Sequence, residues 1–249
     1  MKMSIGKCVR ADLYVAEVLN ISRNKASELI KAGQVLLNGE ILDKPSFEVD
    51  ELEGNKIEVV SEIYVSRSAM KLKTYLKSLD SNLGVSLAGK TAIDVGSSAG
   101  GFIQVLLENG VKSVVGVDVG SDQINPKIKD NAGVRVCENT DIREFAKKSK
   151  EEFEILTCDV SFISLNLILE SIKELFSEYA ILLFKPQFEV GKEAKRDKKG
   201  VLKDTKAIKQ AMAKFELEAA KMGLIMLDKK ECEVLGKEGN SEYFYLFKK

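Results

Sequence analysis

A chain of 249 residues with an apolar fraction of 45% can form one larger domain or two modest ones around a substantial core. Lysine plus arginine and aspartate plus glutamate balance at 38 each, so bulk charge points to no nucleic-acid partner and any basic surface must be local. The absence of histidine excludes imidazole bases and His-ligated metals, and the four cysteines (Cys8, Cys137, Cys158, Cys232) are spaced too widely for a zinc site or a disulfide framework.

The opening segment, MKMSIGKCVRADL, has no apolar core of signal-peptide length, and no apolar run approaches the ~20 residues of a membrane helix. A cytoplasmic protein with neither a membrane nor a metal as partner is the expectation. Apolar Leu13, Val15, Val18 and Leu19 fall at helical spacing and predict a helix over Ala11–Leu19. Ser22 is the expected N-cap of a second helix ending at Gly33. Gln34–Leu42 reads as two strands turning at Asn38-Gly39, and Lys56–Val60 as a third.

Charge is unevenly spread over this first part. Residues 1–31 carry six basic groups (Lys2, Lys7, Arg10, Arg23, Lys25, Lys31) against three acidic ones, whereas residues 32–62 carry two against eight. The helical half is therefore the candidate RNA-contacting face. Val9–Leu42 resembles the S4-type RNA-binding domain, with Arg10, Ser22, Arg23, Ala26, Ile30, Gly33, Val35, Asn38 and Gly39 where that family's pattern has them. A DNA-reading helix–turn–helix would not require the Asn-Gly hairpin that follows.

Beyond Tyr64 helices and strands alternate, as in a parallel sheet covered on both faces. A helix is predicted over Ala69–Leu79, and strands at Thr91–Val95, Val114–Val117, Val134–Glu138, Ile155–Cys158 and Ala180–Phe184. A long helix over Lys206–Met222 precedes strands at Leu224–Asp228 and Tyr243–Phe247, the last two expected as an antiparallel pair. Gly191–Asp204, rich in lysine and glycine, is the one flexible-looking segment.

The first of these strands runs into the turn G-S-S-A-G-G at Gly96–Gly101, and Asp118 ends the next strand about twenty residues later. This pairing is that of a nucleoside-containing cofactor site, where glycines admit the ligand to the backbone and a carboxylate accepts ribose hydroxyls. The second glycine of the dinucleotide fingerprint is missing, which disfavours an NAD-dependent oxidoreductase. The turn is closer to the acidic-x-Gly loop of S-adenosylmethionine enzymes. Asp94, Gly96, Ser97, Ser98, Gly100, Gly101 and Phe102 are the expected cradle, with Asp118 for the ribose and Asp141 for the adenine amine. Asp159 and Lys185, at the ends of the fourth and fifth strands, are left to face the reacting end of the cofactor.

Across nearly its whole length the chain is similar to the TlyA family, which joins an S4-type domain to an FtsJ-type methyltransferase domain. The match lies in YVSRSAMKL (Tyr64–Leu72), DVGSSAGGF (Asp94–Phe102), VDVG (Val117–Gly120), DVSFISL (Asp159–Leu165) and KPQFEVGKE (Lys185–Glu193). The resemblance implies an α/β fold: a Rossmann-like seven-stranded methyltransferase domain over 67–249, a short linker over 63–66 and a small α+β S4-type domain over 1–62. It also implies that Lys71, Asp159, Lys185 and Glu242 form the Lys-Asp-Lys-Glu tetrad of ribose 2′-O-methyltransferases, with Lys185 as base or alkoxide stabiliser and Lys71 its electrostatic partner. Asp159 and Glu242 would orient the two lysines.

The implied reaction is methyl transfer from S-adenosylmethionine to a cytidine 2′-hydroxyl of ribosomal RNA. The compact ends of the chain favour the 23S RNA of the large subunit. Arg10, Arg23, Lys25 and Arg67 are the expected RNA contacts, with Lys195 and Arg196 closing over the backbone. Two other functions stand beside this one: a membrane-active haemolysin, for which no membrane-length or cationic amphipathic segment is evident, and an RNA-binding protein with an inert catalytic domain.

Overall fold

The computed structural model describes residues 8–50, 54–59, 64–191, 193–198, 200–236 and 238–249. Lys2 and Lys7 of the basic excess, Glu51, Glu53 and Glu62 of the acidic one, Val60 at the expected strand end and Ile63 of the expected linker lie outside the described residues. The chain divides into two compact units, Met1–Met70 and Lys71–Lys249.

In the first unit a short strand β1 (Cys8–Arg10) leads into α1 (Ala11–Val18) and α2 (Arg23–Lys31). Ser22 caps α2 as expected, its Oγ accepting the Lys25 N–H at 3.2 Å. Strands β2 (Val35–Leu37) and β3 (Glu40–Ile41) form the hairpin, turning on Asn38 and Gly39 at φ +53° and +85°. Positive φ at both positions is what an Asn-Gly hairpin turn requires. β4 (Glu48–Asp50) and β5 (Ile57–Val59) follow, with β5 pairing β2. Ala11, Val15, Ala26, Ile30, Val35, Leu42 and Val49 form the small core. The β1–β4 pair was not expected from sequence: of its six residues only Val49 is buried.

The second unit opens on α3, whose residues Ser68–Ser78 straddle the division. Its strands are β6 (Thr91–Val95), β7 (Ser113–Val117), β8 (Val134–Cys137), β9 (Phe153–Cys158), β10 (Phe176–Phe184), β11 (Ile225–Glu231) and β12 (Tyr243–Lys248). They form one sheet in the order β11-β12-β10-β9-β6-β7-β8, parallel from β10 to β8, with β12 antiparallel to both its neighbours. The helices between them are α4 (Gly101–Glu108), α5 (Pro126–Lys129), α6 (Ile142–Lys148), α7 (Leu169–Leu175), α8 (Pro186–Glu189) and α9 (Thr205–Lys221).

Strand order reverses between β6 and β9, and this is where an open parallel sheet leaves a crevice beyond its carboxyl ends. The sheet is held by a buried cluster that includes Ile93, Leu156, Cys158, Leu182 and Phe184. α9 closes it by setting Phe215 against Phe184, Tyr245 and Phe247, with ring centroids 5.2–5.9 Å apart. Polar residues that follow β6, β7, β9 and β10 are thereby delivered to one edge of a rigid sheet.

Candidate active site

β6 ends at Val95, and the chain reverses through Gly96 (φ +82°), Ser98 (φ +44°) and Gly100 (φ +90°) before α4 begins at Gly101. Glycine is required at two of these positions for space as well as for φ. A Cβ on Gly96 would stand 2.7 Å from the Asp159 carbonyl oxygen, and one on Gly100 2.8 Å from Ile124 Cδ1. The Asp118 carboxylate holds the turn in place: Oδ2 accepts the Ser98 N–H at 2.8 Å and Oδ1 the Gly120 N–H at 2.7 Å.

A cleft of about 590 Å³ opens over this turn. Gly96, Ser98, Asp118, Asp141, Asp159 and Phe162 are among its lining residues. Asp141 caps α6 and is gripped by Arg143, which donates its backbone N–H at 2.8 Å and its guanidinium at 2.5 and 2.9 Å. The Arg143 bonds hold the Asp141 carboxyl down at about 2, so it stays ionised at the cleft wall with its charge shared with Arg143.

Asp94 and Ser97 lie behind the cleft wall and are buried. Asp94 Oδ1 accepts the Thr157 hydroxyl at 2.7 Å, while Asp94 Oδ2 and Ser97 Oγ have no protein partner. Burial, reinforced by the charges of Asp159 and Asp118, pushes the Asp94 carboxyl up to about 7 against the Thr157 bond. Of the expected cradle residues only Gly96 and Ser98 line the cleft; Gly100, Gly101 and Phe102, like Asp94 and Ser97, do not. Phe102 is 2% exposed and stacks toward Phe244 at 6.3 Å, so it backs the turn from the core.

The four expected tetrad residues form two ion pairs. Lys71 on α3 meets Glu242, just before β12, at 2.7 Å. Lys185, at the end of β10, meets Asp159, at the end of β9, at 2.6 Å and donates to Ser161 Oγ at 3.0 Å. Gln187 joins the pairs, its Nε2 donating to Glu242 Oε1 at 3.3 Å from a position two residues beyond Lys185. Burial raises the Cys232 thiol to about 11, with Lys71 lowering it and Glu242 and Asp159 raising it. Of the four, Asp159 reaches the cleft wall.

Within the first unit, Arg10 and Arg23 converge on one carboxylate that sequence reasoning passed over. Asp12, 4% exposed, accepts from Arg10 at 2.9 and 3.1 Å and from Arg23 at 3.1 Å, while both guanidiniums stay about half exposed. These bonds pull the Asp12 carboxyl below its ordinary value. Arg67 pairs with Asp43 at 2.9 Å, and Lys25 with Glu28 at 3.5 Å. In the second unit Arg196 donates to the Gln187 carbonyl at 3.2 Å, and the Lys195 carbonyl accepts the Lys203 N–H at 2.8 Å. The Gly191–Asp204 segment expected to be flexible thus carries an internal bridge, Arg196 to Leu202, among its described residues.

Two family models match the chain: the S4 domain over residues 9–54 and the FtsJ-like methyltransferase over residues 64–249. A 23S rRNA (cytidine-2′-O)-methyltransferase, TlyA, from Campylobacter jejuni is 46% identical over 96% of this chain and 99% of its own length. A 16S/23S rRNA (cytidine-2′-O)-methyltransferase, TlyA, from Mycobacterium tuberculosis is 33% identical over 90% of this chain and 83% of its own length. Among solved structures, one described as a hemolysin from Streptococcus thermophilus covers 99% of this chain and 90% of itself at 29% identity, with a TM-score of 0.68. Domain order and sheet topology agree with these matches, and the chain belongs to the TlyA family of FtsJ-like methyltransferases, S4 domain included.

Proposed function

We propose that the chain transfers the methyl group of S-adenosylmethionine to the 2′-hydroxyl of a cytidine in 23S ribosomal RNA, acting in the cytoplasm. The observation that carries the proposal is the end-on relation of cleft and ion pair: the cleft over the glycine turn reaches Asp159, and Asp159 holds Lys185 at 2.6 Å. Its length-wise match to the Campylobacter jejuni enzyme supports 23S RNA as the target.

The residues fit the cofactor. The cleft's about 590 Å³ is of small-molecule size, and Gly96, where a Cβ would strike the Asp159 carbonyl, lets the turn pack closely against the end of β9 at the cleft wall. Asp94 Oδ2 and Ser97 Oγ, buried without partners, are acceptors left for the amino-acid tail. Asp118 would take the ribose and Asp141 the adenine amine. When bound, S-adenosylmethionine supplies an electrophilic methyl group.

The chain's own groups would do the rest. Lys185, steered by Asp159 and Ser161, draws off the 2′-hydroxyl proton or holds the developing alkoxide. Lys71, neutralised by Glu242, sets the field around it. Phe162, 91% exposed at the cleft, offers a ring face to the target base, and stacking of that kind is worth about 1–3 kcal/mol per base. Arg10, Arg23, Lys25 and Arg67, with Lys195 and Arg196, would hold the RNA backbone.

Tritiated methyl transfer to purified ribosomal subunits, followed by mapping of the labelled nucleotide, tests the proposal. The expected product is 2′-O-methylcytidine in 23S RNA. Label confined to protein, to a base or to another RNA would overturn it.

A further inference from the structure

Glu189 is a half-buried carboxylate that the reaction outlined above does not use. It ends α8, four residues beyond Lys185, and its hydrogen bonds to Ser164, Leu165 and Asn166 go to a single loop. Its Oε2 accepts the Ser164 hydroxyl at 2.6 Å and the Asn166 Nδ2 at 3.4 Å, and its Oε1 accepts the Leu165 N–H at 2.8 Å. Ser164 in turn caps the single 3-10 turn Leu165–Leu167 by accepting the Asn166 N–H at 3.2 Å. Burial pushes the Glu189 carboxyl up, while these donors and Lys214 pull it back, so the site holds a desolvated acceptor matched to donors from one short segment.

That segment begins at Asp159 and carries Ser161 and Phe162 into the cleft wall. Phe162 has φ +66°, a backbone state that bulky side chains avoid, yet its ring is 91% exposed and gains nothing from burial. A residue stays in such a state only where its surroundings over-determine it. Three attachments do so, all to the turn Lys185–Glu189: Lys185 to Asp159 and Ser161, the Phe188 ring against Phe162 at 5.0 Å, and Glu189 to Ser164–Asn166. The first end of the loop is thus tied through the catalytic lysine and the far end through Glu189.

We infer that Glu189 is a positioning residue for RNA: it fixes the far end of the Asp159–Asn166 loop, and so presents Phe162 to the target nucleotide without touching it. The inference rests on the proposed RNA methylation and predicts a division of effects. Losing Glu189 weakens use of RNA far more than cofactor affinity, because it frees the far end of the loop while Asp159 stays tied to Lys185 and the glycine turn is untouched.

The test compares Glu189→Ala, Ser164→Ala, Phe162→Ala and the Glu189→Ala/Phe162→Ala double variant. Glu189→Ala should raise the KM for ribosomal subunits at least tenfold and leave S-adenosylmethionine affinity, by calorimetry, within twofold. Ser164→Ala, which spares the carboxylate, should move KM in the same direction by a few fold. Glu189→Gln, still able to accept from Leu165 and donate to Ser164, should recover most of the loss. The double variant should be no worse than Phe162→Ala alone, because both changes remove one presentation of the ring. Additive effects, or an unchanged KM, would overturn the inference. Amide exchange over residues 160–167 gives a second, activity-free readout: it should quicken in Glu189→Ala, and unchanged exchange counts against the inference even if wild-type protein proves inactive on RNA, a result that would sink the proposed function separately.

Discussion

At the scale of single residues, Asp94 gives the fold a pH dependence of definite sign. Its carboxyl lies at about 7 in the fold against an ordinary 3.8, so the native state keeps a proton that the unfolded chain sheds earlier. That contribution is present in full below about pH 4 and is lost as pH rises toward 7, by at most about 4 kcal/mol at 1.36 kcal/mol per unit. Asp94→Asn carries no such titration. Urea midpoints for the cofactor-free protein should therefore move in favour of the Asn variant by about 2–3 kcal/mol between pH 5 and pH 7.5. A constant difference across that range would mean that Asp94 is already ionised in the fold.

Lys185 allows a sharper separation of roles at the same scale. Arginine keeps a cation for Asp159 but cannot give up its proton, so Lys185→Arg removes a base and retains an alkoxide stabiliser. If Lys185 is the base, Lys185→Arg and Lys185→Ala should both lower kcat about 10²-fold or more with cofactor affinity unchanged. Activity of the Arg variant within tenfold of wild type would assign the residue to charge stabilisation alone. The chain's lack of histidine left proton transfer to lysine, aspartate, glutamate, tyrosine or cysteine, and only the family resemblance pointed among these to a lysine. Which lysine meets which carboxylate was not legible, because Lys71 and Glu242 are 171 residues apart and no local pattern encodes that pairing. Asp12 and Glu189 escaped for a related reason: in sequence each reads as an ordinary helix carboxylate, and only the fold brings their donors to them.

At the scale of elements, the glycine turn tolerates little change. Gly96→Ala must strain a φ of +82° and push the new Cβ away from the Asp159 carbonyl at 2.7 Å. The left-handed backbone alone costs about 1–2 kcal/mol, and the collision reaches the residue that orients Lys185. Cofactor binding should be lost and the denaturation midpoint lowered; an Ala variant that binds normally would remove the turn from the site. Asp12→Ala in α1 runs against simple charge counting. It makes the first unit more basic, yet it frees both arginines from their shared partner, so RNA affinity by filter binding should fall, and a rise would show that the arginines act only as diffuse charge.

The elements themselves were legible where pattern was dense. The central strands of the sheet announce themselves as apolar runs, β11 does so only over its first residues because Asp228–Glu231 are charged, and β12 was expected to pair β11 antiparallel, as it does. The β1–β4 pair is too short and too exposed to carry a signal, and β10 starts at Phe176, earlier than the expected Ala180, because Ser177-Glu178-Tyr179 breaks the apolar run where the register shifts.

At the scale of the whole molecule, 38 cations against 38 anions give no long-range pull toward RNA. None of the helices among the described residues is long and apolar enough to cross a membrane. On the proposed reading, affinity for a polyanion would come from a few local cations, most of which are already held by a carboxylate or a carbonyl: Arg10 and Arg23 by Asp12, Arg67 by Asp43, Lys25 by Glu28 and Arg196 by Gln187. Such cations are pre-oriented, and because their partners stay in place each neutralises a phosphate only in part. If Arg10, Arg23, Lys25, Arg67, Lys195 and Arg196 all reached phosphates, log Kobs against log salt would slope at about −4 to −5, with each contact contributing about 0.7–0.9. Pairing should hold the measured slope below that limit, and Arg23→Ala should flatten it by less than one full contact. A slope steeper than about −5, or one that Arg23→Ala leaves unchanged, would place the RNA on a different surface.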